Sequence, residues 1–152
     1  MSKQNCRMAA IQMVSGPRVA DNLAVADAVA TAGLLAEPRL EDNMMAYSLT
    51  IDTHVIARRG LGRATLAEDE PLLVRKGERA RVAGNEIAYC ATLSNHAYLL
   101  TQLGQPERAL ALAQTAEAGF LREDAPRFAN LARREKARAQ VELGRTGEAL
   151  AS

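Results

Sequence analysis

Few side chains in this sequence could carry out chemistry, and the sharpest candidate pair is Cys90 with His96. A thiol activated by a neighbouring imidazole is a common nucleophile in acyl transfer. The two residues lie in one segment of helical character, and six steps of about 100° each turn their side chains to different faces. They cannot touch within one helix, so the pair predicts no nucleophilic catalysis.

The remaining histidine and cysteine, His54 and Cys6, complete no site either. Neither His54 nor His96 has ligands at the spacing of a metal site, so both are interpreted as structural residues. Cys6 and Cys90 form no CxxC motif, which favours reduced thiols in a cytoplasmic protein. The segment Gly60-Leu61-Gly62 lacks the third glycine and the strand of a nucleotide-binding fingerprint. The sequence therefore predicts no catalytic residue, no metal and no cofactor.

Charged residues concentrate in two places. Glu68-Asp69-Glu70 precedes Pro71 and is typical of a solvated loop. The segment 126–143 is basic, but binding of nucleic acid requires a larger basic surface or interleaved aromatic residues. The net charge of the chain is only +1, and no apolar run approaches the roughly 20 residues of a membrane helix. No signal peptide is recognisable. We therefore expect neither nucleic acid nor membrane as a partner, and a cytoplasmic location.

The elements that must position these residues are predicted to be helices. Aromatic residues make up 3% of the 152 residues, which favours a core of Ala and Leu between closely packed helices. A short apolar run at 7–15 is interpreted as a strand. Since no second strand is recognisable, it is an isolated strand that pairs with another chain, or it is disordered or helical. Proline inside a helix removes a backbone donor, so we expect a break or kink at Pro71. Helical periodicity covers residues 18–36, 41–59, 63–81, 85–103, 106–122 and 126–143, and it begins again at 146–152.

Glycines predict how the helices are organised. Gly60, Gly104 and Gly144 are each expected to end a helix. Their intervals of roughly 40 residues indicate helical hairpins that bury their apolar faces by stacking on one another. The sequence thus predicts an all-α fold of stacked antiparallel hairpins over residues 40–152, with the last repeat incomplete. An N-terminal segment, residues 1–38, precedes them.

Residues 92–118 resemble one unit of the tetratricopeptide repeat (TPR) family. Ala97 matches the small residue of the first helix, Gly104 the turn glycine, Ala109-Leu110 the start of the second helix and Ala116 its last small residue. Small side chains at these positions let helix axes approach to about 8–10 Å. A second unit repeats the offsets at Ala137, Gly144 and Ala149-Leu150, and a third, weaker one surrounds Gly60. The resemblance covers about residues 41–152, with a repeat longer than usual that is similar to variants in bacterial regulators.

The N-terminus resembles a different family. Residues 7–16, followed by Asn22-Leu23 and an Ala-rich helix, are similar to the first strand and helix of the carbon–nitrogen hydrolase (nitrilase) superfamily over residues 7–29. That family uses a Glu, a Lys and a Cys from segments of a much longer chain. Glu37 has no strand before it and Cys90 lies in a helical segment. No functional residue of that family can be assigned in this sequence.

The TPR resemblance implies a protein that binds another protein and carries out no catalysis. In that family the first helix of each hairpin lines a concave surface, which would accept an extended acidic peptide or a C-terminal carboxylate. Two alternatives are a non-catalytic remnant or fusion of a carbon–nitrogen hydrolase and a structural part of a larger bacterial regulator. Apolar residues such as Leu131 in the segment 126–143 also predict self-association through the C-terminal helices. The binding residues that the resemblance implies are Ser94, Tyr98, Gln102, Arg134 and Arg138.

Overall fold

The structure, a computed structural model, describes residues 19–36 and 44–144. Every regular element within these ranges is an α-helix, which confirms the all-α class predicted from the helical periodicity. The strand predicted at 7–15 and the helix start predicted at 146–152 lie outside the described residues. The six helices are α1 (Val19–Ala36), α2 (Met44–Gly60), α3 (Leu66–Val82), α4 (Glu86–Gln102), α5 (Pro106–Arg122) and α6 (Pro126–Glu142).

Two compact units divide the chain, Met1–Arg63 and Ala64–Ser152. The boundary follows α2, whereas the sequence places it before that helix, between residues 38 and 40. The reason is that α1 packs against α2 and both therefore belong to the first unit. The second unit contains α3 to α6.

The core of the first unit lies between α1 and α2. Ala26 and Ala30 of α1 are buried, and α2 buries an apolar stripe at helical spacing. Leu49 and Ile56 lie on a different face of α2, and both are exposed. Apolar residues occur on two faces of this helix, so periodicity alone could not select the buried one. The buried stripe consists of Tyr47, Ile51, His54 and Val55.

The second unit has a regular repeat of one helix and one connection. Its four helices have 17 residues each and begin at the evenly spaced positions 66, 86, 106 and 126. The short connections between them make neighbouring helices antiparallel. Each helix packs against the next one, and α4 also packs against α6. This last contact makes α4 the central element of the unit.

A left-handed residue ends each helix of this repeat. Gly84, Gly104 and Gly144 have φ near +70°, and Asp124 takes the same place with φ 49°. Backbone hydrogen bonds such as Gln105 N–H to the Leu100 carbonyl (2.8 Å) complete a Schellman motif at the ends marked by Gly84, Gly104 and Asp124. The turn roles of Gly104 and Gly144 agree with the sequence prediction. Gly60 also ends its helix as predicted, because it is the last residue of α2, and Gly62 is the left-handed residue that follows it.

The break expected at Pro71 does not occur, since α3 continues from Leu66 to Val82. Pro71 is exposed and lies in the second turn of the helix, where it removes only one backbone hydrogen bond. Thr65 caps the helix by accepting from Glu68 N–H, and Leu73 and Ala80 are buried on the other side. Capping and burial therefore outweigh the missing donor.

Small residues form the contact between α4 and α5. Ala97, Ala109 and Ala113 are fully buried in one cluster with Leu100, as the sequence predicted for the first two. Gly119 of α5 makes the closest approach, because a Cβ built there would lie 2.2 Å from Cys90 Sγ. These residues let α4 pack closely against α5.

Candidate functional site

Two arginines of α6 are organised around one buried carboxylate. Glu135 is only 2% exposed at its side chain, whereas Arg134 and Arg138 are 58% and 41% exposed. Arg134 Nε donates to Glu135 Oε1 at 2.9 Å, and Arg138 Nη1 lies 3.0 Å from Glu135 Oε2. Two positive charges therefore share one negative charge, which leaves a local excess of one positive charge and several outward-facing N–H donors.

Tyr98 of α4 joins this group across the helix contact. The Arg138 guanidinium carbon lies 4.6 Å from the centre of the Tyr98 ring, within the range of a cation–π interaction. Stacking on the ring and bonding to Glu135 restrain the guanidinium plane, so it is held in place before any ligand arrives. Gln102, one turn after Tyr98 on α4, is exposed. We call Tyr98, Gln102, Arg134 and Arg138 the α4–α6 surface.

Ser94, the fifth predicted binding residue, lies apart from this surface. It is buried, and its hydroxyl donates to the Cys90 carbonyl at 3.1 Å. The exposed residue one turn before Tyr98 is Asn95. The prediction for Ser94 is therefore corrected, because its side chain faces the interior of the unit and bonds to its own helix.

Glu135 was missed by sequence reasoning, because a glutamate among basic residues is usually solvated. Its one available signal was its position at helical spacing between Ala132 and Ala139, which are both buried. A residue on the same face as two buried alanines is expected to point inward as well. That signal does not show that Arg134 and Arg138 compensate the charge of the buried carboxylate.

Ion pairs on the other side of α6 fix this helix against α5. Glu117 of α5 accepts hydrogen bonds from Arg133 Nε and from Lys136 Nζ, each at 2.7 Å. Burial alone would raise the pKa of the Glu117 carboxyl, but the bonds from Lys136 and Arg133 outweigh burial and lower its pKa. These two basic residues therefore serve the packing of α6, whereas Arg134 and Arg138 belong to the exposed surface.

A second polar network connects α3, α4 and α5. Glu70 accepts from His96 Nε2 at 2.9 Å and from Arg108 Nη2. Burial lowers the pKa of His96, although the contact with Glu70 opposes the shift. Burial acts to raise the pKa of Glu70, yet Arg108 and His96 lower it overall. His96 is buried and bound to Glu70. These contacts agree with the structural role that the sequence favours for this histidine.

The chemistry of Cys90 is that of a packed thiol. It is 1% exposed, and burial raises its pKa to about 11, with a further contribution from Glu86. Glu86 Oε1 lies 3.8 Å from its Sγ and 3.1 Å from Arg122 Nη2. A nucleophilic cysteine needs a low pKa and access, and this thiol has neither.

His54 belongs to the first unit and faces α1. Its Nδ1 lies 3.0 Å from Asp27 Oδ1 and 3.3 Å from Thr31 Oγ1. Only two of these side chains, His54 and Asp27, are of the kinds that commonly bind metals. No cluster of three or more His, Cys, Asp or Glu side chains occurs among the residues the structure describes. Within the same residues, no helix is both long enough and apolar enough to cross a bilayer.

Comparisons with known proteins add no relative. No family model matches this chain, and neither a curated protein nor a solved structure is detectably similar to it. The contacts within the candidate site are therefore the basis for its assignment.

Proposed function

We propose that this chain is a protein-interaction module whose second unit stacks helical hairpins in the manner of TPR proteins. The α4–α6 surface would bind an acidic peptide segment of a partner protein, with Arg134 and Arg138 as the charged contacts. The even spacing of the helix starts along the chain and the additional packing of α4 on α6 support this arrangement. Both are features that stacked hairpins require.

The observation that carries the proposal is the arrangement of the two arginines. Each bonds to the buried Glu135 and still exposes 41% or more of its side chain. Planar guanidinium groups recognise carboxylates through paired N–H donors, and restraint before binding lowers the entropic cost of that recognition. Tyr98 supplies the restraint on Arg138. Gln102 adds an exposed amide that can bond to a peptide backbone.

A hydrolase remnant is less well supported than a binding module. The hydrolase resemblance covers only residues 7–29 and carries no functional residue of that family, and the buried thiol of Cys90, with its pKa raised to about 11, could not act as a nucleophile in an active enzyme. A structural role within a larger bacterial regulator is compatible with a peptide-binding surface, since such a regulator would use it for assembly.

The test is a titration of the protein with a fluorescein-labelled oligoglutamate peptide, read by fluorescence anisotropy. We expect binding that weakens as salt is raised, because exposed charges are screened beyond about 8 Å at physiological ionic strength. Arg138→Ala should weaken binding more than tenfold, as loss of a charged hydrogen-bond donor costs about 1.5–3 kcal/mol.

Arg127→Ala is the matched control. Arg127 is an exposed arginine of the same helix that lies near its start, so this variant changes the net charge equally and leaves the α4–α6 surface intact. Equal losses from Arg127→Ala and Arg138→Ala would mean that attraction is non-specific. Binding that ignores both salt and Arg138→Ala would refute the assigned surface.

A further inference from the structure

An apolar patch continues the α4–α6 surface along α6. Phe128 is 46% exposed and Leu131 is 39% exposed. Together with Arg134 and Arg138 they follow one another at intervals of three, three and four residues. Leu131, Arg134 and Arg138 share one face of the helix at this spacing, and Phe128, one turn before Leu131, lies beside that face. The exposed side of α6 therefore carries two large apolar side chains, beside the exposed Arg127, before its cationic pair Arg134 and Arg138.

Phe128 is held in position by the packing of α6 against α5. Its ring stacks on the buried ring of Phe120, with the centroids 5.8 Å apart and the planes 23° from parallel. The ring thus has one supported side, while almost half of the side chain stays open to solvent. The corresponding positions of α4 in the repeat are Ala88 and Ala91. Large apolar side chains appear on α6 where α4 has alanines, so packing of the repeat does not require them.

We propose that the α4–α6 surface selects peptides in which an apolar side chain lies two residues from an acidic one. This inference rests on the proposed function and specifies its ligand. Along the axis of α6, the point midway between Arg134 and Arg138 lies about five residues, or roughly 7–8 Å, beyond Leu131. In an extended peptide, residues i and i+2 lie about 7 Å apart and point to the same side. The two distances agree, and the shared side lets both groups face α6 at once.

Charge favours such a peptide over a second copy of this chain. A twofold contact through this face would bring Arg134 and Arg138 of both copies, four arginines in all, into one interface. Like charges opposed in an interface cost affinity. An acidic peptide places a carboxylate there instead. The apolar residue then covers Leu131 and the open side of Phe128.

The experiment measures binding of a set of extended, otherwise Gly/Ser peptides that each contain one leucine and one glutamate. The separation between the two varies from one residue to five, and a peptide with glutamate alone is included. We expect the tightest binding at a separation of two, at least fivefold above the glutamate-only peptide. Leu131→Ala should remove this advantage and leave binding of the glutamate-only peptide unchanged.

Val141→Ala is the matched control, since Val141 is an exposed apolar residue of the same helix outside the patch. A glutamate-only peptide that binds as well as every leucine-containing one would overturn the apolar subsite and leave the proposed function standing. Failure of all peptides would overturn both. A dimer seen by analytical ultracentrifugation and lost in Leu131→Ala would show that the patch joins two copies instead.

Discussion

Helices α4 and α6 have the same length and take alternate places in the same repeat, yet they have opposite roles. Nine residues of α4 are buried, against five of α6. Where α4 has the buried Leu93, Ser94 and His96, α6 has Arg133, Arg134 and Lys136. The difference teaches that one repeat position can serve as core or as surface, depending on how many neighbours pack on it.

The strongest way to break this comparison is to shorten a leucine in each helix. Leu100 of α4 is fully buried, and Leu100→Ala should lower the free energy of unfolding by about 2–5 kcal/mol, because it leaves a cavity. Leu131→Ala in α6 should change it by less than about 0.5 kcal/mol, since Leu131 is exposed. Urea unfolding followed by circular dichroism measures both. Equal losses of unfolding free energy in the two variants would contradict the comparison, because they would mean that Leu131 is as buried in solution as Leu100.

Enlarging an alanine probes the same contrast from the other direction. Ala97→Leu should overpack the α4–α5 contact and cost about 1–3 kcal/mol, since Ala97 is fully buried beside Ala109. Ala137, at the corresponding position of α6, is only partly buried. Ala137→Leu should therefore cost clearly less in the same urea experiment. A thermal melt that Ala97→Leu leaves unchanged would contradict the hairpin between α4 and α5.

A third substitution sharpens how α4 approaches α5. Gly119→Ala places a methyl group against Cys90 Sγ, since a Cβ there lies 2.2 Å from the sulfur. The clash exceeds the gain of about 1 kcal/mol that alanine brings to a helix interior, so we expect a net loss of roughly 1 kcal/mol. Cys90→Ala combined with Gly119→Ala should recover most of it. Simple additivity of the two variants would show that the residues are not in contact.

The sequence predicted the helices well, and four of its five predicted binding residues are at least partly exposed in the structure. Ala97 and Ala109 were correctly assigned because small residues at fixed offsets have a single packing reason, and Gly104 because the left-handed residue after a helix favours glycine. The repeat of one helix and one connection was missed because Asp124 takes a turn position that glycine takes elsewhere. Ser94 was assigned to the surface from the register that the TPR resemblance implies, and periodicity could not correct this because α4 is apolar on most sides. Glu135 escaped notice because burial of a carboxylate depends on partners that only the folded chain brings close.

The smallest expected effect concerns pH and again separates the two helices. Burial lowers the pKa of His96 below its ordinary value of 6.5, although Glu70 opposes the shift and Arg108 adds to it. The unfolded chain then binds the proton more readily, so stability should be highest above pH 6.5 and fall as the pH falls through that value. The pKa of Glu70, lowered from 4.5, gives a further loss below pH 4.5.

Lys136 takes the place in α6 that His96 takes in α4, and it pairs with Glu117. The urea midpoint measured from about pH 8 to pH 5 should therefore lose its dependence in His96→Gln and keep it in Lys136→Gln. A midpoint of His96→Gln that still falls below pH 6.5 would assign the dependence to another group.

The place where an acidic peptide binds tests the proposed function most directly. The decisive measurement is a titration of isotope-labelled protein with an oligoglutamate peptide, followed by the amide chemical shifts in NMR spectra. We predict that the largest shifts occur at Tyr98, Gln102, Arg134 and Arg138. The amide shifts of α3, and of the side of α5 that faces away from α4 and α6, should stay unchanged. Shifts centred on the Glu117 side of α6, or spread evenly over every basic residue, would contradict a binding surface between α4 and α6.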